Sequence, residues 1–479
     1  MYQQLFDTAA TLGWQLFPAE RGVEPPKPTG AEPPTEDFPR TEPGQRLGVL
    51  AVELSLQPDN DRAVQAPDAW VLLQQARART GSTLPGVSLD HLAFLRPAWT
   101  PNPAWTPNPA WTPNPAWTPN PIAGYGMPGG GGRQPVAYVG PDPVRVPDPV
   151  PGRRPVVAVL DTGCGAHRWL RGPDCPRPVV RTGVPLRPGV PIGYVDDQTD
   201  PEIMPDQAGP LDGLIDEYSG HGTFICGLVH QACPDADILA WRIIGSAGPV
   251  RESDIIEALD RILELAESYR ADPATGHPID VLSLSLGYYH ETPAPELVDA
   301  TLVEIVRRFG ASGTLVVCSA GNDATARPMF PAAFGPWLFG TPPTPQDPDG
   351  LPVVSVGALN PNARSDALFS NAGPWVRVYV PGASVVSTLP AFEGGLQSVA
   401  RADAYQRRRD SIDPDDYRGG FAIWSGTSFA APLLAGTLAR TLAEELLTED
   451  PADDPAAARE RAWRAVERHT DLRRHPKPD

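Results

Sequence analysis

The sequence predicts an α/β fold: a doubly wound, mostly parallel sheet with helices on both faces, plus a small N-terminal α+β module and a Pro-rich linker. Three observations carry that expectation. From Val156 onward, short β-rich runs alternate with helical patterns, which implies parallel strands joined by covering helices. The first 155 residues hold 28 of the 61 prolines, a composition of linker rather than core. Within that Pro-rich part, residues 47–94 read as strand, helix, strand.

Residues 1–45 open on a short helical stretch and then turn rich in Pro and Glu, which predicts little fixed structure. Residues 46–96 hold the small module. Its strands are expected over Leu47–Leu56 and Val87–Phe94, and its helix over Asp68–Arg79 with Trp70, Leu72, Leu73 and Ala76 as the apolar face. Residues 97–155 read as linker. There Pro-Ala-Trp-Thr-Pro-Asn recurs four times from Pro97 to Asn120, setting Trp99, Trp105, Trp111 and Trp117 six residues apart. So many prolines fix φ and remove amide donors, so neither helix nor central strand can form. A polyproline-II segment has about three residues per turn and would align the four indoles on one edge. That strip suits a protein partner or a latch on the body; a semi-rigid spacer is the plainer reading. Gly129–Gly132 follow as a flexible joint.

Residues 156–450 form the large domain, and 451–479 a charged, partly helical tail. Val156–Leu160, Ile238–Trp241, Val281–Leu286, Thr314–Ser319 and Val353–Val356 read as strands. Asp254–Arg270 and Leu297–Phe309 carry apolar residues at helical spacing, the second with Gly310 as its expected stop. In such sheets ligands bind beyond the carboxyl ends of the strands.

Bulk properties narrow the function. A net charge of −19 argues against a nucleic-acid partner, because a phosphate backbone would be repelled. No run of about 18 apolar residues suggests a membrane span, and the first residues lack the basic head and apolar stretch of a secretory signal. Five cysteines at irregular spacing fit free thiols in a reducing compartment. The expected location is the cytoplasm.

Four segments carry candidate chemistry, and each alone has a bland reading. Asp161-Thr162-Gly163 ends the Val156–Leu160 strand, where aspartate and glycine are ordinary turn residues. Gly220-His221-Gly222-Thr223 precedes a helical run, where histidine can simply cap. Ser425-Gly426-Thr427-Ser428-Phe429-Ala430-Ala431-Pro432 opens an apolar helix, where serine is by default an N-cap. Val316–Asp323 is a strand ending in Gly321 and Asn322, where asparagine suits a turn. Together they supply what a serine nucleophile needs: a base for its proton, a carboxylate to orient that base, and donors for an oxyanion.

In the order Asp, His, Ser, the D-T-G, H-G-T and G-T-S-x-A-x-P segments resemble the subtilisin-like serine proteases (subtilases) over about residues 155–445. The resemblance implies a subtilisin-like sheet and a serine endopeptidase acting on polypeptide substrates. Asp161 would orient the base, His221 would act as base and then acid, and Ser428 would attack the scissile carbonyl. Asn322 and the Ser428 amide would form the oxyanion hole; such a donor lowers the barrier by roughly 3–4 kcal/mol, a magnitude known for the family rather than worked out for this chain. Ser283–Gly287 resembles the strand that pairs with substrate, giving Ser285, Leu286 and Gly287 as substrate-binding residues. Phe330-Pro331-Ala332 would lie just beyond the specificity pocket, placing Met329 near its floor and favouring medium apolar side chains at the cleaved position. Sedolisins, which use glutamate as base and aspartate in the oxyanion site, are disfavoured by His221 and Asn322.

The chain departs from a compact subtilase in two places. The stretch between Asp161 and His221 holds Asp196, Asp197, Asp200, Asp212, Asp216 and Glu217; these would suit calcium, although a solvated acidic loop is the plainer reading and no other metal or cofactor is expected. A second insertion, Ala391–Gly420, is dense in Arg and Asp and could rim the cleft. Cys164, Cys226 and Cys318 lie close in sequence to the triad and Asn322, where they are either oxidation-sensitive or inert and buried. The position of residues 46–96 invites comparison with the inhibitory, folding-assisting propeptides of subtilases. The competing class is a catalytically retired adaptor that binds partners through the Pro/Trp repeat.

Overall fold

The computed structural model describes residues 2–18, 51–56, 65–95, 133–173, 175–208, 211, 213–246, 248–291, 300–343, 347, 350–395, 401–448 and 454–474. The Pro/Trp repeat, the Gly129–Gly132 joint and Asp212 lie outside these residues.

The N-terminal unit begins at the first residues, not at residue 46. Helix α1 (Tyr2–Thr11), strands β1 (Trp14–Pro18) and β2 (Val52–Leu56), and helix α2 (Ala69–Thr80) close around Leu5, Ala9, Trp14, Leu72, Leu73 and Ala76. β1 and β2 pair antiparallel, Trp14 opposite Leu56. The α2 boundaries follow local chemistry: the Asp68 carboxylate accepts from the Trp70 and Val71 amides, and Gly81 ends the helix at φ +62°. Trp70 is only half-buried, so the apolar face is carried by Leu72, Leu73 and Ala76.

The strand expected over Val87–Phe94 shrinks to β3 (Leu92–Ala93) and leaves this unit. It pairs with the main body instead, Leu92 opposite Arg251 and Ala93 opposite Val250, while β2 takes β1 as its partner. The last part of the expected linker is likewise attached to the body. β4 (Gln134–Pro135) joins a small antiparallel sheet, and the buried Arg133 guanidinium donates to the Ser219 carbonyl and to those of Ile215 and Asp216 at 3.0 and 2.7 Å.

The main body is built on β5 (Val156–Asp161), β6 (Val180–Thr182), helix α3 (His221–Ala232), β7 (Asp237–Arg242), β8 (Val250–Arg251), α4 (Glu252–Ala271), β9 (Val281–Leu284), α5 (Ala300–Ser312), β10 (Leu315–Ser319), β11 (Val353–Leu359) and β12 (Val378–Pro381). Seven of these strands form one sheet in the order β12-β11-β10-β9-β5-β7-β6, every pair parallel. Strand residues alternate between two cores. Val157, Val159, Val281, Val317 and Val354 face α3 and α6 (Thr427–Leu446), while Ala158, Leu160, Leu282, Val316 and Val353 face α4 and α5. Burial on both faces explains the near-continuous apolar runs that made these strands readable.

β5 is anchored at its start. Arg153 holds Asp280 through two contacts of 2.7 and 2.8 Å, and Asp280 also accepts from the Val156 amide. Loss of Arg153 leaves the buried Asp280 charge without its partner, which typically costs about 3–5 kcal/mol.

Gly310 does not stop α5, which runs on to Ser312; Gly313, at φ +92°, ends it. Gly310 lies inside the helix because a Cβ there would collide with the Leu351 carbonyl. The C-terminal tail contains α7 (Pro455–His469), whose Ala462, Trp463, Ala465 and Val466 are buried in the main core. The Ala391–Gly420 insertion is tied down by Phe392, buried beside Gly220, and by buried Asp415 and Tyr417, with an exposed hairpin of Arg401–Ala404 and Arg407–Asp410 between them.

Candidate active site

Chain order reverses across β5: β7 and β6 lie on one side of it, and β9 to β12 on the other. The crevice beyond the carboxyl end of such a switch point is where open α/β sheets bind ligands. Asp161 is the last residue of β5, and Ser285–Gly287 follow β9 directly.

Asp161 is buried. Its Oδ1 accepts from the Thr162 amide at 2.8 Å and contacts His221 Nδ1 at 2.7 Å. An Nδ1–H donated to this carboxylate leaves the lone pair on Nε2. Among the described residues, His221 Nε2 and Asp161 Oδ2 have no hydrogen-bond partner. The imidazole is wedged between Trp424 and Phe429, with ring centroids 5.5 and 5.3 Å away. The glycine after His221 has a steric cause: a Cβ on Gly222 would collide with the Gly163 carbonyl, so the two loops meet backbone to backbone.

Ser428 is the second residue of α6 and is buried; its hydroxyl donates to the Ser285 carbonyl at 3.4 Å. Pro432 lies one turn further along and has no amide proton to give the Ser428 carbonyl. The Ser285 hydroxyl takes over that role, donating to the Ser428 carbonyl at 2.9 Å. The proline thus ties the serine's helix to the strand beside it. Asn322 Oδ1 accepts from Thr427 N at 2.8 Å and Thr427 Oγ1 at 2.9 Å, which directs the amide nitrogen towards Gly426. Buried Asn371 fixes the loop around Asn322 by accepting from the Asp323 and Thr325 amides and donating to the Ala320 carbonyl.

Leu286 and Met329 are buried, and the Met329 side chain lies against Gly287 and Gly321. The edge of Gly287 is occupied by the chain's own N-terminal segment. Phe94 N donates to Gly287 O at 3.0 Å and Gly287 N to Phe94 O at 3.2 Å, while Leu92 and Ala93 pair with Arg251 and Val250 on the other side. Ala93 and Leu95 are fully buried, and the Asp90 carboxylate accepts from the Ser253 amide and hydroxyl at the start of α4.

One residue escaped the sequence reading. Glu202, in the acidic stretch, is buried and accepts from Thr162 Oγ1 at 2.5 Å, Gly222 N at 3.0 Å, Thr223 N at 3.3 Å and Thr223 Oγ1 at 2.5 Å. It braces the turn after Asp161 against the first turn of α3. Burial, reinforced by the Asp200 and Asp161 charges, outweighs these donors and raises its pKa to about 7. In sequence it is one acid among many, and only its burial distinguishes it.

Three further acids of that stretch serve local turns. Asp196 accepts from Thr199 and pairs with Arg242 at 2.6 Å, Asp200 accepts from the Glu202 amide, and Asp216 accepts from the Gln207 and Ala208 amides. All five cysteines are free and buried. Cys226 is hydrogen-bonded to the Cys164 thiol, and that contact together with burial pushes its pKa up, as burial alone does for Cys318.

Among the described residues no helix is long and apolar enough to cross a membrane.

Comparison with known proteins gives one consistent answer. "Intracellular serine protease" of Paenibacillus polymyxa is 28% identical over 296 residues, covering 60% of this chain and 66% of that protein. "Major intracellular serine protease" of Bacillus subtilis (strain 168) is 26% identical over 256 residues, covering 50% and 62%. The chain therefore spans just under two thirds of the length of these relatives. A cold-adapted subtilisin-like serine proteinase of known structure aligns at 19% identity and TM-score 0.37 over 68% of this chain and 86% of that one, too loosely to add to the assignment. The Subtilase family model matches residues 152–469, which include every strand of the central sheet. The chain belongs to the subtilase family.

Proposed function

We propose that this chain is a serine endopeptidase in which Asp161, His221 and Ser428 form the catalytic triad, and that its N-terminal region restrains it. The observation that carries the proposal is the buried Asp161–His221 contact of 2.7 Å with an unpartnered Nε2 at the carboxyl end of the sheet. In the proposed reaction the Ser428 hydroxyl gives up its long 3.4 Å bond to the Ser285 carbonyl and turns to that nitrogen.

A polypeptide substrate adds as a strand along Ser285–Gly287, with its side chain towards Met329. His221 Nε2 takes the Ser428 proton as Oγ bonds to the scissile carbon, and Asp161 stabilises the imidazolium. The carbonyl oxygen gains negative charge facing Asn322 Nδ2 and the Ser428 amide, where the helix start adds favourable potential. Collapse breaks the C–N bond, His221 protonates the leaving amine, and water then releases the acyl group by the same path.

Restraint follows from residues 92–94, which take up the edge of Gly287 that a substrate needs. The reducing cytoplasm is the proposed setting, supported by five free thiols and by relatives named as intracellular proteases. The test compares the full-length chain with Ser428→Ala by casein hydrolysis and intact-protein mass. Wild type hydrolyses casein and cuts itself between residues 96 and 132, while Ser428→Ala does neither. Identical masses with no hydrolysis in either protein would refute the proposal.

A further inference from the structure

His91 closes the N-terminal segment onto the body with more chemistry than docking requires. Its Nδ1 lies 2.6 Å from Glu252, and its Nε2 lies 2.7 Å from Glu291. Its ring stacks on Tyr288, with centroids 4.4 Å apart and planes at 13°. The buried His290 imidazole is 5.1 Å from the His91 ring. One donor atom from each of His91, His290 and Glu291 lies within 4.8 Å of the other two.

We infer that His91, His290 and Glu291 form a site for a divalent transition-metal ion of the zinc class, which staples the N-terminal segment beside the substrate edge. Two imidazoles and a carboxylate are a donor set suited to such an ion, with the fourth position left to water. A plain ion pair would not need the supporting shell. Buried Glu252 accepts from His91 Nδ1 and from the Tyr288 hydroxyl at 2.6 Å each, fixing the tautomer that presents Nε2 as a ligand. Such a carboxylate behind a histidine is the usual outer shell of a metal site.

Bonds of about 2.0–2.2 Å in tetrahedral geometry set ligand atoms about 3.3 Å apart. Glu291 must therefore withdraw slightly from His91, and its partly exposed side chain has room to do so. The proton shared between His91 Nε2 and Glu291 leaves to solvent as the metal binds.

His91 belongs to the docked segment, whereas His290 and Glu291 follow Gly287 by three and four residues. Metal bound only in the docked state favours that state about 100-fold when present at 100 times its Kd. The binding site stands on its own geometry; its effect on hydrolysis rests on the proposed peptidase.

The test uses the full-length Ser428→Ala chain, stripped with chelator and titrated with zinc by calorimetry, with metal content measured after dialysis. One zinc per chain is expected. Affinity should fall at least about 10–100-fold in His91→Ala and in His290→Ala, and by a similar factor in Glu252→Gln, with circular dichroism confirming the fold of each. Zinc should also slow hydrogen exchange at the Phe94 amide. No stoichiometric zinc, or zinc binding indifferent to His91→Ala and His290→Ala, overturns the site; zinc binding without protection of Phe94 overturns the staple. Because these readouts use an inactive chain, they do not depend on the peptidase proposal.

Discussion

Replacing Glu202 by Gln should flatten one part of the protein's pH–stability profile. The carboxyl group is buried and its pKa stands at about 7 rather than the ordinary 4.5. The folded state therefore holds the proton more tightly than the unfolded chain does. Stabilisation from this group is complete below about pH 4.5, declines as pH rises towards 7, and is flat above, with a total change of about 3 kcal/mol. Glutamine imitates the protonated acid: its oxygen keeps the Thr162, Gly222 and Thr223 amide-side contacts, and its nitrogen faces Thr223 Oγ1. Urea unfolding of wild type and Glu202→Gln between pH 4.5 and 8 gives the difference directly, and subtraction removes most of what other groups contribute. Asp200 and Asp161 are the charges that face Glu202. The stability difference should move by about 3 kcal/mol in favour of the variant as pH rises. A difference that stays constant across the range would refute the reasoning.

Further expectations follow from the same geometry. Gly222→Ala forces a Cβ against the Gly163 carbonyl and should cost about 1–3 kcal/mol in thermal unfolding, together with most of the peptidase activity. Phe94→Pro deletes the amide that donates to Gly287 and should raise the initial rate of peptide hydrolysis several-fold; an unchanged rate would show that the segment does not restrain the site. Asn322→Ala should lower kcat by about 10²–10³, a magnitude known for the family's own oxyanion asparagine, with a much smaller change in KM.

What the sequence made legible was whatever depends on local pattern. β5 could be read because both of its faces are buried, so the run Val156–Leu160 is apolar throughout. The D-T-G and H-G-T segments could be read because two backbones meet there and leave no room for side chains. The role of Pro432 needed the structure, since its meaning lies in the Ser285 hydroxyl on a different strand. Residues 92–94 pair with the main body rather than within the N-terminal module, because a short strand's pattern does not name its partner. Glu202 stayed hidden because an acid in an acidic loop has no local mark of burial. Gly310 misled for a related reason: it lacks a side chain to admit Leu351 rather than to end the helix.

The most direct test is whether Ser428 is a nucleophile activated by His221. Treatment with a fluorophosphonate followed by peptide mass mapping addresses that directly, both on the full-length chain and on Phe94→Pro. A single adduct on Ser428 is expected, formed faster in Phe94→Pro and absent from Ser428→Ala and His221→Ala. An adduct that persists in Ser428→Ala, or none in either the full-length chain or Phe94→Pro, would contradict it.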